Sequence, residues 1–168
     1  MTAYEKEQLK TTTIHIPSRD IYKTKNIDGL IKYKLKEQVE GLCGEHGYII
    51  KDSVSLVKRS IGKITTQNGE SKIEYDLTYK MKVLFPNKND KYECIIDSVT
   101  KMGIIAYLNS DNESMNNIKD SPILVIIPNE YLENDISTFE KDQKIDIIVL
   151  DNRIKYRSTQ IQVIGKIL

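Results

Sequence analysis

The chain has 168 residues, of which 39% are hydrophobic and 29% charged, a composition that predicts a globular fold and argues against a disordered tail. A net charge of +1 at pH 7 argues against a strongly basic module that binds DNA by itself. The longest apolar run, from Ile123 to Ile127, is too short to cross a membrane, and the polar segment from Met1 to Lys10 lacks the apolar core of a signal peptide. These features predict an intracellular protein with no membrane partner, in which Cys43 and Cys94 are buried free thiols.

In the first part of the chain, the sequence predicts one helix with one strand before it and one strand after it. The segment from Lys10 to Ile16 is rich in β-branched residues, which favours a strand. Apolar residues recur at helical spacing from Ile27 to Cys43, and this pattern predicts an amphipathic helix capped by Asn26 or Asp28. The apolar segment from Tyr48 to Val57 predicts the next strand.

The strongest periodic signal lies between Ile73 and Phe85, where apolar residues occupy every odd position and polar residues every even one. Strict alternation predicts a long antiparallel strand with one buried face, and Asn68-Gly69 before it predicts a hairpin turn. The segment from Pro86 to Asp90 then predicts a boundary between domains of residues 1–85 and 86–168. Lys and Arg outnumber Asp and Glu by fifteen to eleven before this boundary, whereas acidic residues lead by thirteen to ten after it.

The second domain contains five apolar segments, and the polar stretch from Asn109 to Asp120 among them has no periodicity and predicts a mobile surface loop. The segments are Tyr92 to Val99, Ile104 to Leu108, Ile123 to Ile127, Ile145 to Leu150, and Arg153 to Leu168, the last with a break near Ser158. Five short strands in roughly 80 residues predict a small closed barrel. The predicted fold class is therefore α+β for the first domain and all-β for the second.

The segment LKEQVEGLCGEHGYII, from Leu35 to Ile50, resembles the stalk subunit of cellular RNA polymerases, the family of the seventh subunit of RNA polymerase II and its archaeal counterpart. Ile61 to Ile64, Tyr79 to Pro86 and Ile95 to Gly103 continue the resemblance. It implies a truncated ribonucleoprotein-like (RNP-like) sheet-plus-helix domain over residues 1–85 and an S1-type OB barrel over residues 86–168. It also implies a non-catalytic subunit that pairs with a small helical partner, docks on the polymerase core beside the RNA exit path and contacts the transcript.

Two departures from the family pattern suggest a divergent member. Family barrels carry aromatic residues after the glycine that corresponds to Gly103, whereas this chain has Ile104 and Ile105, which predicts weak binding of single-stranded RNA. The polar insertion from Asn109 to Asp120 also replaces a shorter glycine-containing turn of the family. In addition, Lys outnumbers Arg by 21 to 4, which suggests an A/T-rich genome. These features predict a member encoded by a large DNA virus. Its expected location is the nucleus or, for a viral protein, the cytoplasmic viral factory and the virion.

The resemblance further implies a docking tip formed by the turn between Gly41 and Gly47 and by the hairpin from Ile61 to Gly69. An apolar pair flanked by cations suits a pocket with an acidic rim, although the glycines could equally serve backbone geometry alone and the hairpin could be a plain edge strand. The residues predicted to contact the polymerase core are Gly41, Gly47, Arg59, Ile61, Lys63 and Ile64.

Three cations alternate with Ile154 and Tyr156 near the end of the chain, so they would share one face of a strand. This pattern is typical of a solvated face, or of a stripe that follows RNA phosphates, with one further cation and one stacking aromatic ring nearby. The predicted RNA-binding residues are Lys101, Tyr107, Arg153, Lys155 and Arg157.

No catalytic or cofactor motif stands out in the sequence. His15 and His46 have no partners at metal-ligand spacing, and there is no phosphate-binding loop, dinucleotide fingerprint or nucleophile elbow. The sequence therefore predicts a protein that is not an enzyme and binds no metal or cofactor. Two alternatives remain open: a free-standing S1/OB protein that binds single-stranded RNA, and a scaffold or virion protein without transcription contacts.

Overall fold

The computed structural model describes residues 5–111 and 113–168, so the predicted polar N-terminus lies partly outside the described residues. The described residues form two compact units. We call residues Glu5–Glu40 and Ile49–Val83 the sheet unit, and residues Gly41–Tyr48 and Leu84–Leu168 the barrel unit. Residues Gly41–Tyr48 thus belong to the barrel unit although parts of the sheet unit precede and follow them in sequence. From Leu84 onward, all residues belong to the barrel unit.

The structure contains strands throughout and two α-helices near its start, joined in places by short 3-10 helices. The strands and α-helices are, in chain order, β1 (Glu5–Pro17), α1 (Ser18–Lys23), α2 (Ile27–Val39), β2 (Cys43–Gly44), β3 (Gly47–Ile49), β4 (Ser55–Arg59), β5 (Lys63–Gln67), β6 (Glu70–Leu84), β7 (Lys91–Thr100), β8 (Gly103–Leu108), β9 (Ile123–Pro128), β10 (Lys144–Arg153) and β11 (Ile161–Ile167).

Strand β6 organises the sheet unit, because β1, β4 and β5 all pair with it. The alternation between Ile73 and Phe85 predicts this strand correctly: the odd-numbered residues from Tyr75 to Val83 are buried in the core of the unit. Helix α2 contributes Ile31 and Leu35 to the same core. Burying one face of a strand against one face of a helix explains both periodicities.

Helix α2 begins where the sequence predicts but ends earlier. The Asn26 side chain caps it by accepting a hydrogen bond from the Gly29 amide at 2.9 Å. The helix stops at Val39 and not at Cys43, because Glu40 has an extended backbone and its side chain accepts a hydrogen bond from the Val54 amide at 3.0 Å. Helix α1 is absent from the sequence prediction, since its six residues make fewer than two turns and leave no periodic signal.

The prediction of a single strand from Tyr48 to Val57 is wrong, because the chain turns between β3 and β4. Asp52 has a positive φ of 59°, and the Ser53 hydroxyl donates to the Ile50 carbonyl at 2.6 Å. This local hydrogen bond stabilises a turn within an otherwise β-prone segment.

Strands β7 to β11 form a closed barrel in the order β10-β11-β9-β8-β7, so the predicted small barrel is confirmed. The β9–β11 pair is parallel and the other pairs are antiparallel. Each strand contributes aliphatic side chains to the buried interior, and β7 also buries Tyr92 and Cys94 there; the aliphatic residues include Ile96, Ala106, Val125, Ile147 and Val163. The last strand is shorter than the segment predicted from Arg153 to Leu168. Strand β10 extends to Arg153, and β11 begins only at Ile161.

The segment from Asn109 to Asp120 is more structured than the predicted mobile loop, although Asn112 lies outside the described residues. It contains a 3-10 helix (Glu113–Met115), and the Asn116 side chain bonds to both backbone groups of Ser110, at 2.7 and 2.8 Å. This one side-chain amide gives the Ser110 backbone hydrogen bonds that a helix or sheet would otherwise supply.

Candidate docking hairpin and cationic cavity

The β5–β6 hairpin, together with the segment that leads into it from β4, presents two isoleucines to solvent. The Asn68-Gly69 turn prediction is confirmed, since both residues have positive φ and Gln67 pairs with Glu70 across the turn. Ile61 is 92% exposed, and Ile64 is 74% exposed although it lies directly opposite the partly buried Ile73. Directly opposed residues share one face of a sheet, so Ile64 extends the apolar face of the sheet unit into solvent.

Arg59 and Lys63 differ in whether their positive charge is paired with an acidic group of the protein. Arg59 Nε lies 2.5 Å from Asp28 Oδ1 on α2, and the guanidinium stacks 5.7 Å from the centroid of the Tyr75 ring. Lys63 is exposed and makes no ion pair among the described residues. Arg59 therefore anchors the start of the hairpin inside the sheet unit, whereas Lys63 stays available to a partner.

Gly41 and Gly47 lie in the barrel unit, so the predicted docking set is divided between the two units. Both glycines are buried and have positive φ, 72° and 127°, which favours the backbone role over direct contact with a partner. Between them, the Cys43 amide donates to the Ser158 carbonyl at 2.7 Å. This bond fixes the β2–β3 turn to the segment that leads into β11.

The predicted face of three alternating cations does not form, because only Arg153 lies on a strand. Lys155 lies beyond the end of β10, and its carbonyl accepts a hydrogen bond from the Ser158 amide at 3.0 Å across a turn in which Arg157 has a positive φ of 61°. The turn is also held from outside the segment, since the Arg157 amide donates to the Cys43 carbonyl at 2.8 Å. A tertiary hydrogen bond of this kind overrides the local alternation.

Two of the three cations meet at a cavity of about 240 Å³ in the barrel unit. It is lined by Arg153, Lys155, Ser158, Gln160 and Gln162. Neither Arg153 nor Lys155 makes an ion pair among the described residues, so both charges face the cavity and solvent without an internal counterion. Cationic and amide groups around a cavity of this size suit a phosphate or the edge of a base.

Gln160 and Gln162 belong to this site, although the sequence did not identify them as candidates. The Gln160 side-chain amide donates to the carbonyls of Ile118 and Ser121, the latter at 3.0 Å, and so fixes one wall of the cavity. The alternation of the two glutamines around buried Ile161 at the start of β11 was the available signal.

Lys101 and Tyr107 do not line the cavity, and Tyr107 is unsuited to stacking. Lys101 is exposed at the β7–β8 turn, where its carbonyl accepts a hydrogen bond from the Asn129 side chain at 2.9 Å. Tyr107 is only 7% exposed, so its ring faces are already covered. Burial raises the pKa of the Tyr107 hydroxyl, and the Asp142 and Asp97 carboxylates raise it further.

The two cysteine thiols are poor nucleophiles. Burial raises the pKa of Cys43 to about 11 and that of Cys94 to about 12, which disfavours the nucleophilic thiolate. Within residues 5–111 and 113–168, no three His, Cys, Asp or Glu side chains are grouped to hold a metal ion. None of the helices in this part of the chain is long and apolar enough to cross a membrane.

Comparison with known proteins finds a distant relative. The chain is 23% identical over 148 residues to DNA-directed RNA polymerase II subunit RPB7 of Glycine max, a match that covers 86% of this chain and 75% of the relative. No protein-family model matches the chain. The match is longer than either compact unit, so the similarity extends over parts of both.

Proposed function

We propose that this chain is a non-catalytic stalk subunit of a DNA-dependent RNA polymerase. The observation that carries the proposal is the distant similarity to subunit RPB7 across both an α+β sheet unit and a closed five-stranded barrel. In this proposal residues 1–85 are a truncated RNP-like domain and residues 86–168 an S1-type OB barrel. The subunit forms a heterodimer with a small helical partner and belongs to a divergent viral polymerase, with the nucleus or the viral factory and virion as its location.

Docking on the polymerase core is assigned to the β5–β6 hairpin. Ile61, Lys63 and Ile64 offer an exposed apolar pair with one cation that makes no ion pair among the described residues. Burial of two isoleucine side chains against a partner contributes on the order of 3 kcal/mol or more, enough to matter in a subunit interface. Arg59 supports this hairpin from within, and the turn shaped by Gly41 and Gly47 contributes through its backbone.

Contact with nascent RNA near its exit is assigned to the cationic cavity. Arg153 and Lys155 can neutralise two phosphates, while Gln162 offers an amide to a base edge. The barrel unit as a whole carries ten Lys and Arg against fourteen Asp and Glu, so binding should be weak and sensitive to salt. A free-standing RNA-binding protein is the alternative that the same cavity supports.

Co-purification from the native source tests the subunit assignment. The tagged chain should recover large polymerase subunits and one small helical protein, whereas the variant Ile61→Asp/Ile64→Asp should lose the large subunits. Leu9→Asp is the matched control, because Leu9 is also exposed on a strand of the sheet unit. Recovery of ribosomes or of the chain alone would support the free-standing alternative, and equal recovery by both variants would remove the hairpin from the interface.

Salt-dependent RNA binding tests the cavity. Replacing Arg153 and Lys155 with Ala should weaken binding of a uridine oligonucleotide and reduce the slope of log affinity against log salt by about 1.4. Lys88→Ala/Lys91→Ala is the matched control, since both lysines are barrel-unit cations that do not line the cavity. Arg157→Ala should also leave the slope unchanged. An unchanged slope in the Arg153 and Lys155 variant would mean that these cations are only solvated.

A further inference from the structure

The edge of the sheet unit that β4 and β5 form contains one residue more than the stretch of β6 that it faces. Arg59, the last residue of β4, pairs with Leu77, and Lys63, the first residue of β5, pairs with Glu74. Three residues therefore lie between the two pairs on the edge, whereas only two lie between them on β6. A strand that carries one extra unpaired residue contains a β-bulge, and we call residues 60–62 the bulge.

Ser60 keeps the bulge hydrogen-bonded to β6. Its amide donates to the Asp76 carbonyl at 2.9 Å, as in a regular ladder. The Asp76 amide donates to the Ser60 hydroxyl oxygen at 2.9 Å, in the place that a backbone carbonyl of the edge normally takes. The same hydroxyl donates to the Ile61 carbonyl at 3.2 Å. One side chain thus bonds to the backbone on both sides of the gap in the ladder and fixes the bulged conformation.

Gly62 allows the chain to return to the sheet directly after Ile61. A Cβ at Gly62 would lie 2.7 Å from Ile73 Cγ2 and 3.0 Å from two carbons of the Tyr75 ring. The ring has little room to move, because it is buried in the core and stacked by the Arg59 guanidinium. A larger residue at this position would therefore push the backbone away from β6. Ile61 is 92% exposed although the backbone on either side of it is held against the sheet.

The same edge disfavours one mode of binding. A second bulge lies between Leu56 and Lys58, where Val57 is the unpaired residue and is 53% exposed. Among the described residues, β4 and β5 pair with β6 alone, so their other side is a free edge. Two bulges in so short an edge interrupt the row of amides and carbonyls that an added strand would need. A partner at this edge must instead accept projecting side chains in pockets of its own surface.

We propose that Ser60 and Gly62 position Ile61 for docking, so that the polymerase core receives this side chain in an aliphatic pocket and adds no strand to the edge. This inference rests on the proposed docking role of the hairpin and names how the contact is made. A side chain that is already held in its binding orientation loses less conformational entropy when it is buried. Loss of the Ser60 hydroxyl should therefore weaken docking although Ile61 itself remains.

Backbone dynamics test the positioning on the full chain without any partner. In the wild-type chain, the Ile61 amide should have an NMR order parameter of about 0.85, which is typical of a rigid backbone. Ser60→Ala should lower this value toward about 0.6, and Ser60→Thr, which keeps a hydroxyl, should restore it. Thr65→Ala is the matched control, because it removes a hydroxyl from the regularly paired part of β5 and should change nothing at Ile61. A mobile Ile61 amide in the wild-type chain would overturn the proposal.

A double-mutant cycle tests the consequence for docking. The probe is the polymerase core that the tagged chain recovers from its native source, freed of this subunit. Ser60→Ala should weaken binding of the core by about three- to tenfold, as expected when one more side chain has to be ordered on binding. In an Ile61→Ala background the same change should have no further effect, because Ser60 acts through Ile61. Gly62→Ala should follow the same pattern in both backgrounds.

Deletion of Ile61 distinguishes the two modes of binding, because it restores equal numbers of residues on the edge and on β6. The deletion should weaken binding at least as much as Ile61→Ala. Tighter binding after the deletion would show that the core adds a strand and would overturn the proposal. Equal effects of Ser60→Ala in both backgrounds would also overturn it and leave the docking role of the hairpin intact. If Ile61→Ala itself binds like the wild type, the docking role is wrong and so is the positioning.

Discussion

The sheet unit and the barrel unit share the two-residue alternation of strands but treat their outward positions in opposite ways. In the sheet unit, the cations of β6 meet the acids of β1: Lys80 Nζ lies 3.1 Å from Glu7 Oε1, and Lys82 Nζ lies 3.7 Å from Glu5 Oε2. In the barrel unit, β8, β9 and β11 hold outward isoleucines instead. The barrel also pairs charges, since Lys144 Nζ lies 3.3 Å from Glu93 Oε1. The difference therefore lies in these three strands, whose outward isoleucines have no counterpart at the outward, even-numbered positions of β6 from Lys72 to Lys82.

The largest expected effect is on the free energy of unfolding, and it comes from placing a Cβ at a glycine next to a turn in each unit. A Cβ at Gly103, where φ is +146°, would lie 2.2 Å from the Ile127 carbonyl oxygen, whereas a Cβ at Gly69 would meet nothing within 4 Å. Gly103→Ala should therefore lower the free energy of unfolding by about 2–5 kcal/mol, and Gly69→Ala by about 1 kcal/mol. Urea unfolding followed by circular dichroism measures both. Equal losses would show that β8 and β9 can separate at this end without cost.

The two glycines also show what the sequence can and cannot predict. The Asn68-Gly69 turn, the alternation of β6 and the barrel strands all depend on local patterns, so they could be read directly. The close approach of Gly103 to Ile127 depends on the pairing of β8 with β9, which no local pattern encodes.

The candidate sites were harder to predict for the same physical reason. The alternating cations from Arg153 to Arg157 imply a strand, but the hydrogen bonds to Cys43 impose a turn. Tyr107 has the chemistry of a stacking residue, yet tertiary packing buries it. Ile61 and Ile64 are exposed beside a hairpin turn that the sequence does encode, and their contact with a partner stays a prediction.

An intermediate effect should come from the thiols, since Cys43 and Cys94 both lie in the barrel unit. Their pKa values rise on folding from the ordinary 9.0 to about 11 and about 12. The unfolded chain therefore releases thiol protons first, and stability is lost as the pH rises above 9. The expected loss is about 1.4 kcal/mol per pH unit for each thiol, measured by urea unfolding at several alkaline pH values. Cys43→Ala/Cys94→Ala should flatten this slope, and an unchanged slope would assign it to other groups.

The smallest expected effect on the free energy of unfolding distinguishes Arg59, which stabilises the docking hairpin of the sheet unit, from Ile61, which is exposed for docking. Arg59→Ala removes both the contact with Asp28 and the stacking on Tyr75, so the free energy of unfolding should fall by about 1 kcal/mol. Arg59→Lys keeps the positive charge but loses the planar guanidinium, so it should restore only part of this loss. Ile61→Ala should change stability by less than about 0.5 kcal/mol, because Ile61 is almost fully exposed.

Recovery of the polymerase core should depend on Ile61 more than on Arg59, the reverse of the order expected for stability. If the hairpin docks through its isoleucines, Ile61→Ala should weaken recovery of the polymerase core without a change in melting temperature, whereas Arg59→Lys should lower the melting temperature and leave recovery intact. Thermal melting by circular dichroism and co-purification of the same samples measure the two effects. A loss of recovery in Arg59→Lys that matches Ile61→Ala would mean that the guanidinium itself contacts the core, and that its bond to Asp28 is exchanged on docking.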